Sequence, residues 1–161
     1  MEIPRYQFHP MRADDLPLIK RWLETPHVAE WWDGAEDFEL ISGDLDHPDM
    51  AQFTVACGRE RFAYLQCYNL SAWNTGFGSH PRGTRGLDQF IGETNMLERG
   101  HGSAFIREFT EQLFAQGTPR VVIDPDPANA RAIRAYEKAG FHRSNIVDTP
   151  DGPALLMVRN P

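Results

Sequence analysis

The chain has 161 residues with 16 basic and 23 acidic side chains, a net charge of −7 with histidines neutral. That length predicts one domain with one core over residues 1–161, and that charge argues against a nucleic-acid backbone as partner. Hydrophobic content of 41% and charged content of 24% fit an ordinary soluble globular protein, which excludes fibrous and low-complexity classes.

No apolar run approaches the roughly 18–20 residues of a membrane span, so no membrane partner is expected. Met1-Glu2-Ile3-Pro4-Arg5 lacks a signal-peptide pattern, which points to the cytoplasm. Cys57 and Cys67 lie in predicted strands and read as buried reduced thiols more readily than as a hairpin disulfide. No Cys/His spacing suggests a metal. Nine acidic residues and no Lys or Arg fall between Glu24 and Asp49. They form either a solvated helix face or an electrostatic funnel for a polyamine.

In chain order, Tyr6–Met11 alternates as an opening strand. Asp14 or Asp15 is placed to cap a helix running to Leu23, with Leu16, Ile19, Trp22 and Leu23 as its apolar stripe. Thr25-Pro26 reads as the start of a short helix ending near Trp32, and Phe38–Leu45 as a third. Gln52–Cys57 and Phe62–Asn69 form a hairpin around Gly58-Arg59-Glu60-Arg61. Leu70–Thr84 is irregular yet carries Trp73, Phe77 and His80, the composition of a functional lid. Arg85–Glu93 is a strand, followed by the glycine turn Leu97–Ser103. A helix from His101 to Gln116 buries Ala104, Phe105, Phe109, Leu113 and Phe114. Arg120–Asp124 is a short strand. Asn129 caps the next helix, which Gly140 ends. Phe141–Asp148 and Ala154–Val158 close as a hairpin around Pro150–Pro153.

A strand leading through a glycine turn into a helix presents free N–H groups and a positive dipole end, suited to a phosphate-bearing ligand. The turn alone is weak, because most such turns are only turns. The run Asn129 to Phe141, N-x-x-A-x-x-x-Y-E-K-x-G-F, strengthens it. With the turn at Leu97–Ser103 it resembles the GCN5-related N-acetyltransferases, whose pyrophosphate loop reads Q/R-x-x-G-x-G/A. Leu97 departs from that pattern at its first position, and Arg99 supplies charge instead. Arg85–Gln89, Asp124–Asn129, Arg131–Arg134 and Thr149–Ala154 further resemble the aminoglycoside 6′-N-acetyltransferases.

The resemblance implies an α/β (α+β) fold. Its central sheet is mixed and mostly antiparallel, with six to seven strands, helices on both faces and a splay at the acetyl-CoA site. It implies acetyl-CoA as co-substrate, no metal, and a small amine acceptor attacking in a ternary complex. The protein would act as a monomer or homodimer. Asp88 would be the base and Tyr136 the acid for the leaving thiolate. Phe90, Ile91, Arg99, Gly100, His101, Gly102, Ser103, Asn129 and Tyr136 would hold coenzyme A, with the Ile91 N–H polarising the thioester. Trp32, Asp33, Tyr64, Tyr68, Trp73, Asp88 and Asp124 would line the acceptor site. The chemistry itself needs no covalent nucleophile, and none is evident. A hydroxylysine-like siderophore precursor as acceptor stays open, as does a non-catalytic binding module. A P-loop phosphotransferase is disfavoured because no Gly-Lys-Ser/Thr follows the turn.

Overall fold

The computed structural model describes residues 4–161; the sequence reading of Met1–Ile3 lies outside the described residues. The elements are β1 (Tyr6–Pro10), α1 (Leu16–Leu23), α2 (Pro26–Ala29), α3 (Gly34–Gly43), β2 (Met50–Cys57) and β3 (Glu60–Asn69). There follow β4 (Arg85–Ile91), α4 (His101–Ala115), β5 (Val121–Ile123), α5 (Ala130–Lys138), β6 (His142–Thr149) and β7 (Gly152–Arg159). The strands form one sheet in the order β1-β2-β3-β4-β5-β7-β6. β1–β2, β5–β7 and β6–β7 are antiparallel, whereas β4–β5 is parallel. The mixed sheet matches expectation. No helix among the described residues is long and apolar enough to cross a membrane.

The chain sorts into two compact units, Met1–Cys67 with Gln89–His101, and Tyr68–Asp88 with Gly102–Pro161. In the first, Ile19, Trp22, Leu23, Val28, Ile41, Tyr64 and Phe90 form a buried cluster. Ile19, Trp22 and Leu23 are three of the four positions of the predicted stripe, and each such side chain contributes about 1.5–3 kcal/mol by leaving water. In the second, α4 buries Phe105, Phe109 and Leu113 at intervals of four. Ile106 and Thr110 are buried beside that row, whereas Ala104 and Phe114 of the predicted set are only half-buried.

Several local expectations change. Asp15 does not cap α1; its carboxylate accepts from Arg12 N at 2.9 Å and from Arg61 Nη1 at 2.9 Å, closing a 3-10 turn at Ala13–Asp15 that precedes the helix. Thr25 stands at the N-cap of α2, but its hydroxyl donates to the Trp22 carbonyl and so finishes α1 instead. α2 stops at Ala29, short of Trp32. α3 starts at Gly34 rather than Phe38, because Asp33 caps it by accepting from Glu36 N at 3.1 Å. The β2–β3 turn shrinks to Gly58-Arg59, with Gly58 at φ 60°. Cys57 and Cys67 are free thiols, but only Cys67 is buried.

Leu70–Thr84 is not a loose lid. Phe77 is buried. Gly76, at φ 78°, lies so near the Asp148 carbonyl that an added Cβ would sit 2.2 Å from its oxygen. His80 Nε2–H donates to the Phe77 carbonyl at 2.9 Å, and Arg120 Nη1 donates to His80 Nδ1 at 3.2 Å. A carbonyl can only accept and a guanidinium only donate, so these two bonds make Nε2 the donor and Nδ1 the acceptor.

Candidate active site

The parallel ladder between β4 and β5 has three register pairs and ends at Leu87 opposite Ile123. Asp88 and Asp124 are the next residue on each strand, so their side chains leave on one face as neighbours. The two carboxyl groups hydrogen-bond to each other. Burial, and then the Asp88 charge and hydrogen bond, push the Asp124 carboxyl up to about 8. The raised value favours a protonated Asp124 carboxyl beside Asp88, so the two share a proton more readily than they both ionise. Such a pair can accept an ammonium, or a proton from one, at low desolvation cost.

The pair also makes the protein sensitive to pH. Asp124 has an ordinary value of 3.8 and a folded value of about 8, so the native state binds more protons than the unfolded chain in that window. Its stability contribution is complete below pH 3.8 and is lost as pH rises toward 8. Asp124→Asn removes the slope while keeping a neutral hydrogen-bond donor. The variant should melt above the parent at pH 8, by about 1–3 kcal/mol in stability. The difference should vanish near pH 4. Thermal melts at both pH values decide it; melting curves that stay superimposed at pH 8 would rule it out.

Gly86 lies two residues before Asp88, hence on the same face of β4. A Cβ there would fall 2.2 Å from Tyr68 Cζ, so the Tyr68 ring rests directly on the bare backbone. Trp73 meets Tyr68 edge-on, with centroids 5.6 Å apart. Tyr68, Trp73, Asp88 and Asp124 thus come together in the second unit. Gly86→Ala must displace Tyr68. The expected loss of about 1–3 kcal/mol should appear as a lower Tm, and an unchanged melting curve would refute this packing.

The acceptor residues predicted in the first unit have structural employment. Tyr64 is fully buried; its ring lies 5.3 Å from Phe90 and its hydroxyl donates to Gln66 Oε1 at 2.6 Å. It is a core aromatic with no exposed face. Trp32 packs edge-on against Phe90 at 5.1 Å and is half-buried, whereas Trp31 is 39% exposed. Successive residues on a helical turn point about 100° apart, and of the two tryptophans it is Trp32 that faces the core. Asp33 is exposed, and its carboxylate is engaged in capping α3. Phe90 is buried, which leaves only its main chain available to a ligand.

At the end of β4, His27 Nε2–H donates to the Ile91 carbonyl at 2.7 Å, and Gly92 N donates to the Phe62 carbonyl at 2.7 Å. Glu93 N shares that same acceptor at 3.2 Å. Two donors on one carbonyl make an irregular strand end at Gly92. The glycine turn follows. Arg99 and Gly100 are exposed, Gly100 has φ 77°, and a Cβ there would meet nothing within 4 Å. Gly102 and Ser103 follow, half-buried in the first turn of α4. His101 is buried. Asn129 caps α5, accepting from Ala132 N at 3.2 Å, which engages its oxygen. Tyr136 is buried beside Phe141, centroids 6.4 Å apart.

Residues 12–149 match the model of the acetyltransferase (GNAT) domain. The chain belongs to the GNAT acetyltransferase family. Within that family it is 33% identical over 160 residues to the aminoglycoside N(6′)-acetyltransferase type 1 of Klebsiella pneumoniae, covering 92% of this chain and 80% of that protein. It is 46% identical over 78 residues to a kanamycin resistance protein of Rhizobium radiobacter, covering 48% of this chain and 72% of that one. The structure of AAC(6′)-Ib with coenzyme A and kanamycin superposes with a TM-score of 0.87 at 32% identity, covering 96% of this chain and 94% of that one. The same protein has been solved with paromomycin and acetyl-CoA.

For this GNAT chain, sequence reasoning named Asp88 and Asp124 but not their shared proton. It missed His27, and met Gly86 only as a member of the Arg85–Gln89 run. His101 it named as the start of a helix and as a coenzyme A residue, but not as the head of the buried stripe, four residues before Phe105.

Proposed function

We propose that this chain is an acetyl-CoA-dependent N-acetyltransferase acting on the 6′-amine of an aminoglycoside, as a single catalytic domain over residues 1–161. The Asp88–Asp124 pair carries the reading. It offers one negative charge and one exchangeable proton where β4 and β5 stop pairing, with the Tyr68 and Trp73 rings alongside. That is a site for an ammonium on an apolar-faced ring.

The amine nitrogen attacks the thioester carbonyl, the C–S bond breaks and coenzyme A leaves as the thiolate. Asp88 takes the amine proton, directly or through water, and orients the nitrogen. The Ile91 N–H polarises the carbonyl, and Tyr136 protonates the thiolate. Arg99, Gly100, Gly102 and Ser103 hold the pyrophosphate. Asn129 uses its amide N–H₂ on the pantetheine arm, since its oxygen caps α5. Phe90 contributes main chain only. Tyr68, Trp73 and Asp124 contact the acceptor. All these groups lie on one chain, so a monomer or a homodimer would serve, in the cytoplasm where acetyl-CoA is available.

The test is release of free thiol from acetyl-CoA with kanamycin, tobramycin, lysine, N-hydroxylysine and spermidine. Turnover with the 6′-amino sugars alone supports the proposal. Turnover confined to the amino acids moves the acceptor to siderophore chemistry, and binding of coenzyme A without any turnover sinks the catalytic reading.

A further inference from the structure

We propose that His101 is a positioning residue for the pyrophosphate-binding turn, held from inside by the Tyr6 hydroxyl of the first strand. The proposal rests on the coenzyme A reading of that turn given above.

The turn needs holding. Its bend runs from Met96, 5% exposed, to His101, 6% exposed, with Glu98, Arg99 and Gly100 in solvent between them. Two of those residues are left-handed, Glu98 at φ 61° and Gly100 at φ 77°. Gly100 adopts that conformation freely, but Glu98 carries a Cβ and is strained there. Fixing its two ends steadies such a strained bend.

His101 fixes the second end. Its Nδ1 lies 2.8 Å from Tyr6 Oη. The ring stands edge-on to Tyr6, with centroids 5.9 Å apart, and tilted against Phe62 at 5.3 Å. Tyr6 is itself 2% exposed, and its residue pairs with Cys57 across the β1–β2 ladder. The turn is thereby tied to a strand at the far end of the sequence.

The charged groups around the ring are Arg5, Arg99 and Glu60. Burial, Arg5 and Arg99 hold the ring's pKa below its usual 6.5, against a smaller opposing pull from Glu60. The ring is neutral at neutral pH, and the bond joins two uncharged groups. Because the imidazole faces inward, it acts on the ligand through the main chain of the turn and not by touching it.

The experiment measures coenzyme A affinity by titration calorimetry and steady-state kinetics with acetyl-CoA. The proteins are wild type, Tyr6→Phe, His101→Phe and the double variant, each checked by thermal melt. Both substitutions keep an aromatic ring and remove the bond. Each single variant should weaken coenzyme A binding about fivefold and raise the acetyl-CoA KM alike, with kcat and the acceptor KM within about twofold. The double variant should be no weaker than the worse single one, because one bond is lost only once. Unchanged affinity in both single variants, losses that multiply, or a fall in kcat at constant KM would each overturn the proposal. Should His101→Phe fail to fold, Tyr6→Phe reads the bond alone, since it removes one oxygen. Wild-type protein that ignores coenzyme A would overturn the reading of the turn; wild type that binds it equally with both variants overturns the positioning role only.

Discussion

Asp88→Asn should lower kcat/KM for a 6′-amino sugar about 10²–10⁴-fold, the range for loss of a positioned acid or base. The substitution keeps the shape of the side chain and a hydrogen bond to Asp124. It removes the negative charge and the proton acceptor. The loss should fall on kcat, because an amine that stays protonated cannot attack, and on KM, because a bound ammonium loses its counter-charge. The neighbour modifies the outcome in a checkable way. Asp88 is the second cause, after burial, of the raised Asp124 value. With its charge gone Asp124 ionises at lower pH, so some activity should return to the variant through Asp124 in mildly alkaline buffer. Asp88→Asn combined with Asp124→Asn should abolish that return. A full pH–rate profile for both proteins is the measurement, and near-parental kcat in Asp88→Asn would eliminate Asp88 as the base.

Gly92→Ala should cost about 3 kcal/mol or more, the upper end of what overpacking a core does. The added methyl would fall 2.1 Å from Trp22 Cγ and 2.2 Å from Trp22 Cδ2. Trp22 has no room to yield. It is 1% exposed, meets Phe90 edge-on at 6.2 Å, and its Nε1–H donates to Glu93 Oε2 at 2.6 Å. Relief therefore requires moving β4 or turning the indole out of its bond. For a chain of this size the expected fall in Tm is about 6–12 °C. The same shift would disturb the Ile91–Gly92 peptide, anchored by His27 on its carbonyl and by Phe62 on its N–H. Activity should fall with stability. Gly100→Ala is the contrasting case, since its Cβ would meet nothing and only the positive φ resists it. If Gly92→Ala melts no lower than the parent, the packing of Trp22 on this strand is wrong.

The segment from β4 to α5 was legible because its signals are local. A glycine turn, an apolar row at intervals of four, an asparagine ahead of a helix and a glycine behind it each act within a few residues. The first unit was harder to read for the same reason. Whether Trp31 or Trp32 faces the core depends on where α2 stops, at Ala29. Asp33 looked like a ligand because its role as a cap becomes visible only once the start of α3 is known. Gly86 and Gly92 are demanded by Tyr68 and Trp22, rings distant in sequence, and nothing near either glycine announces them. The Asp88–Asp124 pair lies between these extremes. Both residues stood out, but their shared proton follows from the register of a three-pair ladder.

The tying down of residues 70–84 bears on how an acceptor is chosen. A segment fixed by buried Phe77, by the Asp148 carbonyl against Gly76 and by the His80 bridge has little freedom left to lose when Trp73 meets a ligand. Binding then incurs a small entropic penalty of loop ordering. In the proposed acceptor site, discrimination between sugars would fall to static fit against Tyr68 and Trp73 rather than to rearrangement around each guest. Such a wall favours a narrow set of ring substituents, and widening the spectrum would require loosening one of those three ties.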